Sequence, residues 1–293
     1  MPIVPVYRLH ATPSEPFPRY RFARDAHPNP NPIAGRPNPD RTRWAVDRVA
    51  FYAWSDPVGD DGIHRGLAPV QEFFRVDDEG LVWYRYSTDS GPPSGWESHD
   101  YVAFWLHPPS NENAGAPIHH YQQELPKAFN HALSVAPELP ESRDWSRESM
   151  LGLAASTLPV VVSARFARDD HSRLLWSYRP TTINLAYPTT LQFTRAPASP
   201  WRFTSLEIQG GRDDFEDPVV TDDQILIRAN YAHPGQDFRY DLTIDVYGGP
   251  RATSNRSGTA PESDPGTAPS LQRSVLGRMV SDPEIVNQTP DRI

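Results

Sequence analysis

The chain has 293 residues, 33 prolines, no cysteine and a formal net charge of −9 at pH 7. Without cysteine it cannot form disulfides, thiolate nucleophiles, zinc ribbons or iron–sulfur clusters. The acidic balance argues against nucleic acid as a partner, because such binding needs clustered basic residues. No apolar run approaches the roughly 18 residues of a membrane helix, and the first residues lack signal-peptide features. We therefore expect no membrane insertion and a cytoplasmic location by default, with leaderless export as the alternative.

The first half of the chain repeats a short pattern. Residues 5–9 (PVYRL) recur as residues 69–73 (PVQEF) and, more faintly, as residues 117–121 (PIHHY). A unit copied in series usually stacks or closes into a pseudo-symmetric body. We predict an N-terminal β-repeat domain over residues 1–157, with copies at about 5–67, 69–115 and 117–157.

A tryptophan and an apolar run close each copy. Trp44 precedes DRVAFY at residues 47–52, and Trp96 precedes DYVAFW at residues 100–105. Runs rich in valine and aromatics between Pro, Gly and Asp clusters are typical of short β-strands. In the third copy the pattern is degenerate, and residues 141–155 also allow a helix.

These residues resemble a known short repeat domain with the consensus PVYRLYN, HFYT and GVAFY. The resemblance covers residues 3–157 and is strongest in the opening and closing elements, whereas residues 19–22 and 83–86 stand in place of HFYT. That family has no assigned function, and it occurs mostly in secreted bacterial and fungal proteins, sometimes beside carbohydrate-active enzymes. The resemblance therefore implies a role near carbohydrates without implying a chemistry.

The second half, residues 158–293, predicts strands without intervening helices. Alternation of apolar and polar residues, as at Leu242, Ile244 and Val246, places one face of a strand on a core. Such strands joined by turns indicate an antiparallel β-sandwich, weakly similar to bacterial immunoglobulin-like modules. The predicted strands are residues 160–162, 190–194, 203–208, 224–229 and 238–246.

A stretch rich in Gly, Ser, Thr and Pro, residues 248–274, interrupts this half. It cannot bury enough apolar area to offset its ordering entropy, so we predict a disordered insertion. Ile285 and Val286 would then return to the sheet; the alternative is that everything after residue 248 is a loose tail. The predicted fold class is all-β with minor helix.

Six residues of the repeat are the candidate ligand contacts. Aromatic faces suit sugar rings and arginines suit polar groups, but aromatics at alternating strand positions are also ordinary core fillers. Instead of binding a ligand, Arg21 and Arg85 could form ion pairs with Asp47 and Asp100. The candidates are Tyr20, Arg21, Trp83, Tyr84, Arg85 and Tyr86.

No metal, cofactor or catalytic residue is assigned from the sequence. His119 and His120, with His107 and His131 near in sequence, suggest a metal, but adjacent histidines on a strand point to opposite faces and do not readily share one ion. The acidic residues 213–217 lack the spacing of a calcium loop and indicate a solvated loop. The G-x-S-x-G elbow, the phosphate-binding loop and the dinucleotide fingerprint are all absent from the sequence.

The leading interpretation is a non-catalytic binding protein that recognises a glycan, a cell-surface polymer or a protein partner. The alternative is a hydrolase acting on a polysaccharide, with a carboxylate pair between the domains. Such a pair would need its carboxyl groups about 5–10 Å apart. A third interpretation is an effector-like protein that makes contacts through the disordered insertion.

Overall fold

The computed structural model describes residues 3–12, 19–26, 43–58, 66–110, 115–125, 128–135, 145–166, 174–180, 182–197, 199, 201–246 and 284–287. Over these ranges the regular elements are β-strands, which confirms the all-β class, and they include no helix. The minor helix allowed for residues 141–155 is wrong where the structure describes them, because Trp145–Leu153 is a strand paired with its neighbour. The insertion predicted at 248–274 lies outside the described residues. Among the residues that the structure describes, no helix is long and apolar enough to cross a membrane.

The first half consists of three sets of three strands, which we call triplets. In each triplet the first strand lies between the second and the third. The first two triplets join into a six-stranded sheet in the order β2-β1-β3-β6-β4-β5, and the third forms a sheet of its own, β8-β7-β9. The strands are β1 (Ile3–Thr12), β2 (Tyr20–Ala23), β3 (Arg43–Trp54), β4 (Ala68–Val76), β5 (Val82–Ser87), β6 (Glu97–Leu106), β7 (Pro117–Glu124), β8 (Phe129–Ser134) and β9 (Trp145–Leu153).

The triplets share a pairing register. The opening prolines Pro5, Pro69 and Pro117 lie opposite Tyr52, Trp105 and Leu153, the last apolar residues of the closing pattern. An irregularity follows one residue later in all three pairs, between Val6 and Tyr7, Val70 and Gln71, and Ile118 and His119. The second strands β2, β5 and β8 also lie against one another.

The second half contains two further sheets. The first has the order β11-β10-β13-β16-β15 and the second β12-β18-β17-β14. Two pairs, β10 with β13 and β12 with β18, are parallel, which the sequence analysis did not foresee. The strands are β10 (Thr157–Phe166), β11 (Leu174–Arg179), β12 (Thr182–Leu185), β13 (Thr189–Arg195), β14 (Trp201–Gln209), β15 (Val219–Val220), β16 (Gln224–Ala229), β17 (Asp237–Val246) and β18 (Glu284–Asn287).

The strands predicted in this half are confirmed, including the return of Ile285, which is buried between β12 and β17. The buried side chains of both sheets form one hydrophobic cluster, and Tyr52 and Trp54 of the first half belong to it. A second cluster fills the space among the triplets. The domain boundary near residue 157 and the description of the second half as a sandwich stay predictions.

Candidate functional site

A second irregularity places a polar side chain in each triplet. In the first, Arg8 lies opposite Arg48 and Leu9 opposite Val46, so Asp47 is extra. In the third, His120 lies opposite Ser149 and Tyr121 opposite Arg147, which leaves Glu148 extra. Extra residues of this kind are β-bulges, which redirect side chains and often lie beside functional sites.

The second triplet has a wider bulge at the same position. Gln71 pairs with Val102 and Phe73 with Ser98, so residues 99–101 lie opposite Glu72 alone. We call the three places the first, second and third bulge sites. They centre on Arg8, Glu72 and His120, each the third residue after its opening proline.

The first bulge site is an ion pair. Nε of Arg8 donates to Oδ2 of Asp47 at 2.6 Å, and the Arg8 guanidinium lies 5.2 Å from the centre of the Tyr20 ring. Asp47 therefore pairs with Arg8. The sequence analysis had offered it as a partner for Arg21 or Arg85.

The second bulge site surrounds Glu72, whose side chain is 1% exposed. Arg21 reaches it from the first triplet through Nη2 at 2.9 Å and Nε at 3.1 Å. The hydroxyls of Tyr86 and Tyr101 each donate to a different carboxylate oxygen at 2.8 Å. Nε2 of His99 lies 3.2 Å from Oε1. A buried carboxylate surrounded by this many donors is held in its ionised form.

The electrostatics agree with an ionised Glu72. Burial alone would raise the pKa of this carboxyl group, but the Arg21 charge and the hydrogen bonds hold it below its ordinary value. The negative charge in turn keeps the pKa of Arg21 above its ordinary value, although burial opposes this. Burial and the charge of Glu72 raise the pKa of Tyr86 and Tyr101, so both hydroxyls keep their protons.

Tyr101 connects this buried network to the surface. As a residue it is 44% exposed, although its hydroxyl is bonded to Glu72. Beside it, the exposed Arg24 donates to the backbone carbonyls of Ser55 at 2.9 Å and of Val102 at 3.5 Å. The site thus presents an aromatic face of fixed orientation close to a positively charged side chain.

The third bulge site joins two histidines and a glutamate. Nδ1 of His120 lies 3.0 Å from Oε2 of Glu148, and its Nε2 lies 3.0 Å from Nδ1 of His131. Arg85 of the second triplet donates to Oε1 of Glu148 at 2.6 Å. Both histidines are buried, whereas Arg85 and Glu148 are 25% and 30% exposed.

Burial keeps both rings neutral. Desolvation, with the nearby Arg85 charge, lowers the pKa of His120 to about 3. Desolvation and the neighbouring His120 ring lower the pKa of His131 to about 2.

The partners then determine the tautomers of the two rings. A carboxylate only accepts hydrogen bonds, so the single proton of His120 is on Nδ1 and its Nε2 accepts from Nδ1–H of His131. Nε2 of His131 is left as a bare lone pair, and this buried atom has no hydrogen-bond partner.

The structure distributes five of the six predicted ligand residues over the three bulge sites, with Tyr20 beside Arg8 at the first. Arg21 and Tyr86 contact Glu72, the guanidinium of Arg21 lies 4.6 Å from the centre of the Tyr84 ring, and Arg85 belongs to the third site. Trp83 packs separately with Leu125 and Ala128. All but Arg85 are buried, as expected of core fillers. The acidic partners that the structure shows for Arg21 and Arg85 are Glu72 and Glu148, and the side chain of Asp100 lies outside the described residues.

Sequence reasoning missed three residues that matter most, Glu72, Tyr101 and Glu148, and considered His131 only as a histidine near His119 and His120 in sequence. A usable signal existed, because the third residue after each opening proline is polar in a predicted strand in all three copies. By strand pairing, His131 corresponds to Tyr20 and Tyr84. His131 lies opposite Gln122, Tyr20 opposite His10 and Tyr84 opposite Phe74. The third hairpin is one residue shorter, so a gapless alignment displaces His131.

The acidic stretch predicted as a solvated loop is tied into the second half. Asp214 is buried and accepts from the backbone and from Nδ1 of His233, at 2.8 and 2.6 Å. Asp223 lies 2.5 Å from Arg195. Carboxylates engaged in this way hold loops in place, and they give no support for a calcium site.

Comparisons with known proteins do not place the chain in a group. It matches no family model, and a search of curated proteins finds no match.

Proposed function

We propose that the chain is a non-catalytic binding protein that recognises a glycan or a glycan-bearing cell-surface polymer, with Tyr101 at the centre of the contact. The observation that carries this proposal is that Tyr101, 44% exposed as a residue, has its hydroxyl fixed on the buried Glu72. It replaces the six repeat residues as the main ligand contacts, because most of those are buried.

A fixed ring binds at a lower entropic cost than a mobile one. Ordering a side chain that has many rotamers costs about 0.5–1.5 kcal/mol on association. Tyr101 has little of that freedom to lose, because Glu72 and its partners already hold its hydroxyl. Tyrosine also combines a large apolar face with a polar edge, a combination enriched at recognition surfaces.

Arg24 supplies the polar part of the contact. Two backbone carbonyls hold its guanidinium near Val102, and the side chain remains exposed. A guanidinium has five N–H donors, so donors remain for hydroxyl or carboxylate groups of a ligand. An aromatic face for C–H groups beside donors for hydroxyls is the chemistry that a sugar ring requires.

The test is retention of the protein on a panel of immobilised polysaccharides, followed by titration of the best ligand. Tyr101→Ala should abolish retention, whereas Tyr101→Phe keeps the ring and should weaken binding by about tenfold or less. Phe129→Ala is the matched control, because Phe129 is another exposed aromatic, at 38%, and lies on β8. It should bind as the unmodified chain does.

Two outcomes would overturn the proposal: no retention of the unmodified chain on any polysaccharide, or equal retention of the Tyr101→Ala variant. Release of soluble sugar from the polymer would favour the hydrolase alternative instead.

A further inference from the structure

We propose that the third bulge site binds one divalent transition-metal ion of the zinc class through His120, His131 and Glu148. A ligand atom from each of the three residues lies within 4.8 Å of the others. Two imidazole nitrogens and one carboxylate oxygen form a donor set that suits Zn²⁺ and similar ions. Three such ligands leave one coordination position for a further ligand. This site is independent of the glycan contact at Tyr101.

The two imidazoles are already in the state that a metal needs. A ligating histidine must be neutral, because a protonated ring has no lone pair to donate. The donor atoms are also already close together, since His120 lies 3.0 Å from a ring nitrogen of His131 and 3.0 Å from an oxygen of Glu148.

One nitrogen lacks a partner in the arrangement described above. Nε2 of His131 is buried without a hydrogen bond, and an unsatisfied buried polar atom is destabilising. A small rotation of the two rings towards a shared ion would exchange the hydrogen bond between them for two metal bonds. The proton on Nδ1 of His131 would then move to Nε2, which leaves the Nδ1 lone pair for the ion.

Glu148 lies on the side from which an ion can reach the site, and it supplies a negative charge. Its side chain is 30% exposed whereas His120 is 2% exposed, so an ion can approach from the glutamate side. Arg85 holds Oε1 and leaves Oε2, the oxygen nearer His120, as the ligand.

Arg85 also opposes the ion. Its guanidinium is a positive charge on the same carboxylate, and like charges at this range repel. Removing the charge should therefore strengthen metal binding. A purely structural histidine pair gives no reason to expect this.

The other bulge sites do not offer the same chemistry. At the first site Arg8 takes the place of His120 and is paired with Asp47. At the second, Arg21 and two tyrosine hydroxyls already occupy both oxygens of Glu72.

The experiment titrates the full chain with Zn²⁺ by calorimetry and with Co²⁺ by visible absorption. The unmodified protein should bind one equivalent, with cobalt bands of low-symmetry four- or five-coordination. Glu148→Gln and His131→Gln should each weaken binding by more than about tenfold, the loss that removing even an outer partner can cause. His119→Gln is the matched control, because His119 precedes His120 and points to the other face of β7; its affinity should be unchanged.

Arg85→Leu is the second arm, and it should tighten binding by about tenfold. It keeps the test decisive if His131→Gln does not fold, which circular dichroism will show. Absence of saturable binding by the unmodified chain would overturn the site. Equal affinity in the Glu148→Gln variant, or no gain with Arg85→Leu, would place the ion elsewhere and overturn it as well.

Discussion

The second and third bulge sites occupy the same place in two triplets and carry opposite electrostatics. At the second, a fully buried carboxylate is ionised because Arg21 and two hydroxyls surround it. At the third, the corresponding residue is a buried neutral imidazole, and the carboxylate, Glu148, lies at the surface. Where the charge is buried, all of its partners hold it in place; where the charge is exposed, one buried nitrogen, Nε2 of His131, has no hydrogen-bond partner.

An arginine links each of these sites to the preceding triplet. Arg21 of β2 reaches Glu72, and Arg85 of β5 reaches Glu148. The corresponding position of the third triplet is Ala132, opposite Tyr121 as Arg21 is opposite Leu9. The first bulge site contains its own arginine, Arg8, so it needs none from the third triplet.

The largest expected effect comes from removing the buried charge. Glu72→Gln should lower the free energy of unfolding by about 3–5 kcal/mol, because Arg21 is left buried without its counter-charge. Glu148→Gln should cost about 1 kcal/mol or less, since its pair with Arg85 is partly hydrated. Urea unfolding of both variants measures the difference. Equal losses would contradict the contrast between the two sites.

Removing single hydroxyls should give an intermediate effect at the second site. Tyr86→Phe should cost about 1.5–3 kcal/mol, the range for a hydrogen bond to a charged group, because its partner is fully buried. Tyr101→Phe should cost less, because its partly exposed surroundings let water take over the lost bond. Thermal unfolding ranks the two variants. A larger loss of stability for Tyr101→Phe would contradict the expectation that the more deeply buried hydrogen bond to Glu72 contributes more.

Lowering the pH should remove the contribution of Glu72 to the free energy of unfolding. The pKa of this carboxyl group is lower in the folded protein than its ordinary value of 4.5. Its stabilising effect is therefore fully present above about pH 4.5 and is lost as the pH falls through the folded value. The gap in unfolding free energy between the unmodified chain and Glu72→Gln should shrink between pH 5 and lower pH. A gap that is constant with pH would mean that Glu72 carries no charge at neutrality.

The positions of many strands could be predicted from the sequence. Alternating apolar residues identified the strands of the second half, such as Gln224–Ala229, whose bounds are as predicted. Recurrence of the opening proline identified β1, β4 and β7, since a copied sequence with the same apolar spacing favours the same pairing. Short elements such as Val219–Val220 carry too little pattern to be predicted.

The candidate sites could not be anticipated in the same way. A β-bulge depends on which residues pair across two strands, and that register arises from packing, so residues 99–101 gave no sign that they face Glu72. His120 and His131 are eleven positions apart and meet only because β7 and β8 pair with a shorter connection. Exposure of Tyr101 likewise depends on the bulge, because strict alternation does not predict it.

The most direct test of this contrast is the nitrogen NMR spectrum of the histidine side chains at neutral pH. The account predicts that His120 and His131 are both neutral and that both carry the proton on Nδ1, with Nε2 unprotonated in each ring. An imidazolium signal from either residue, or a proton on Nε2 of His131, would contradict it.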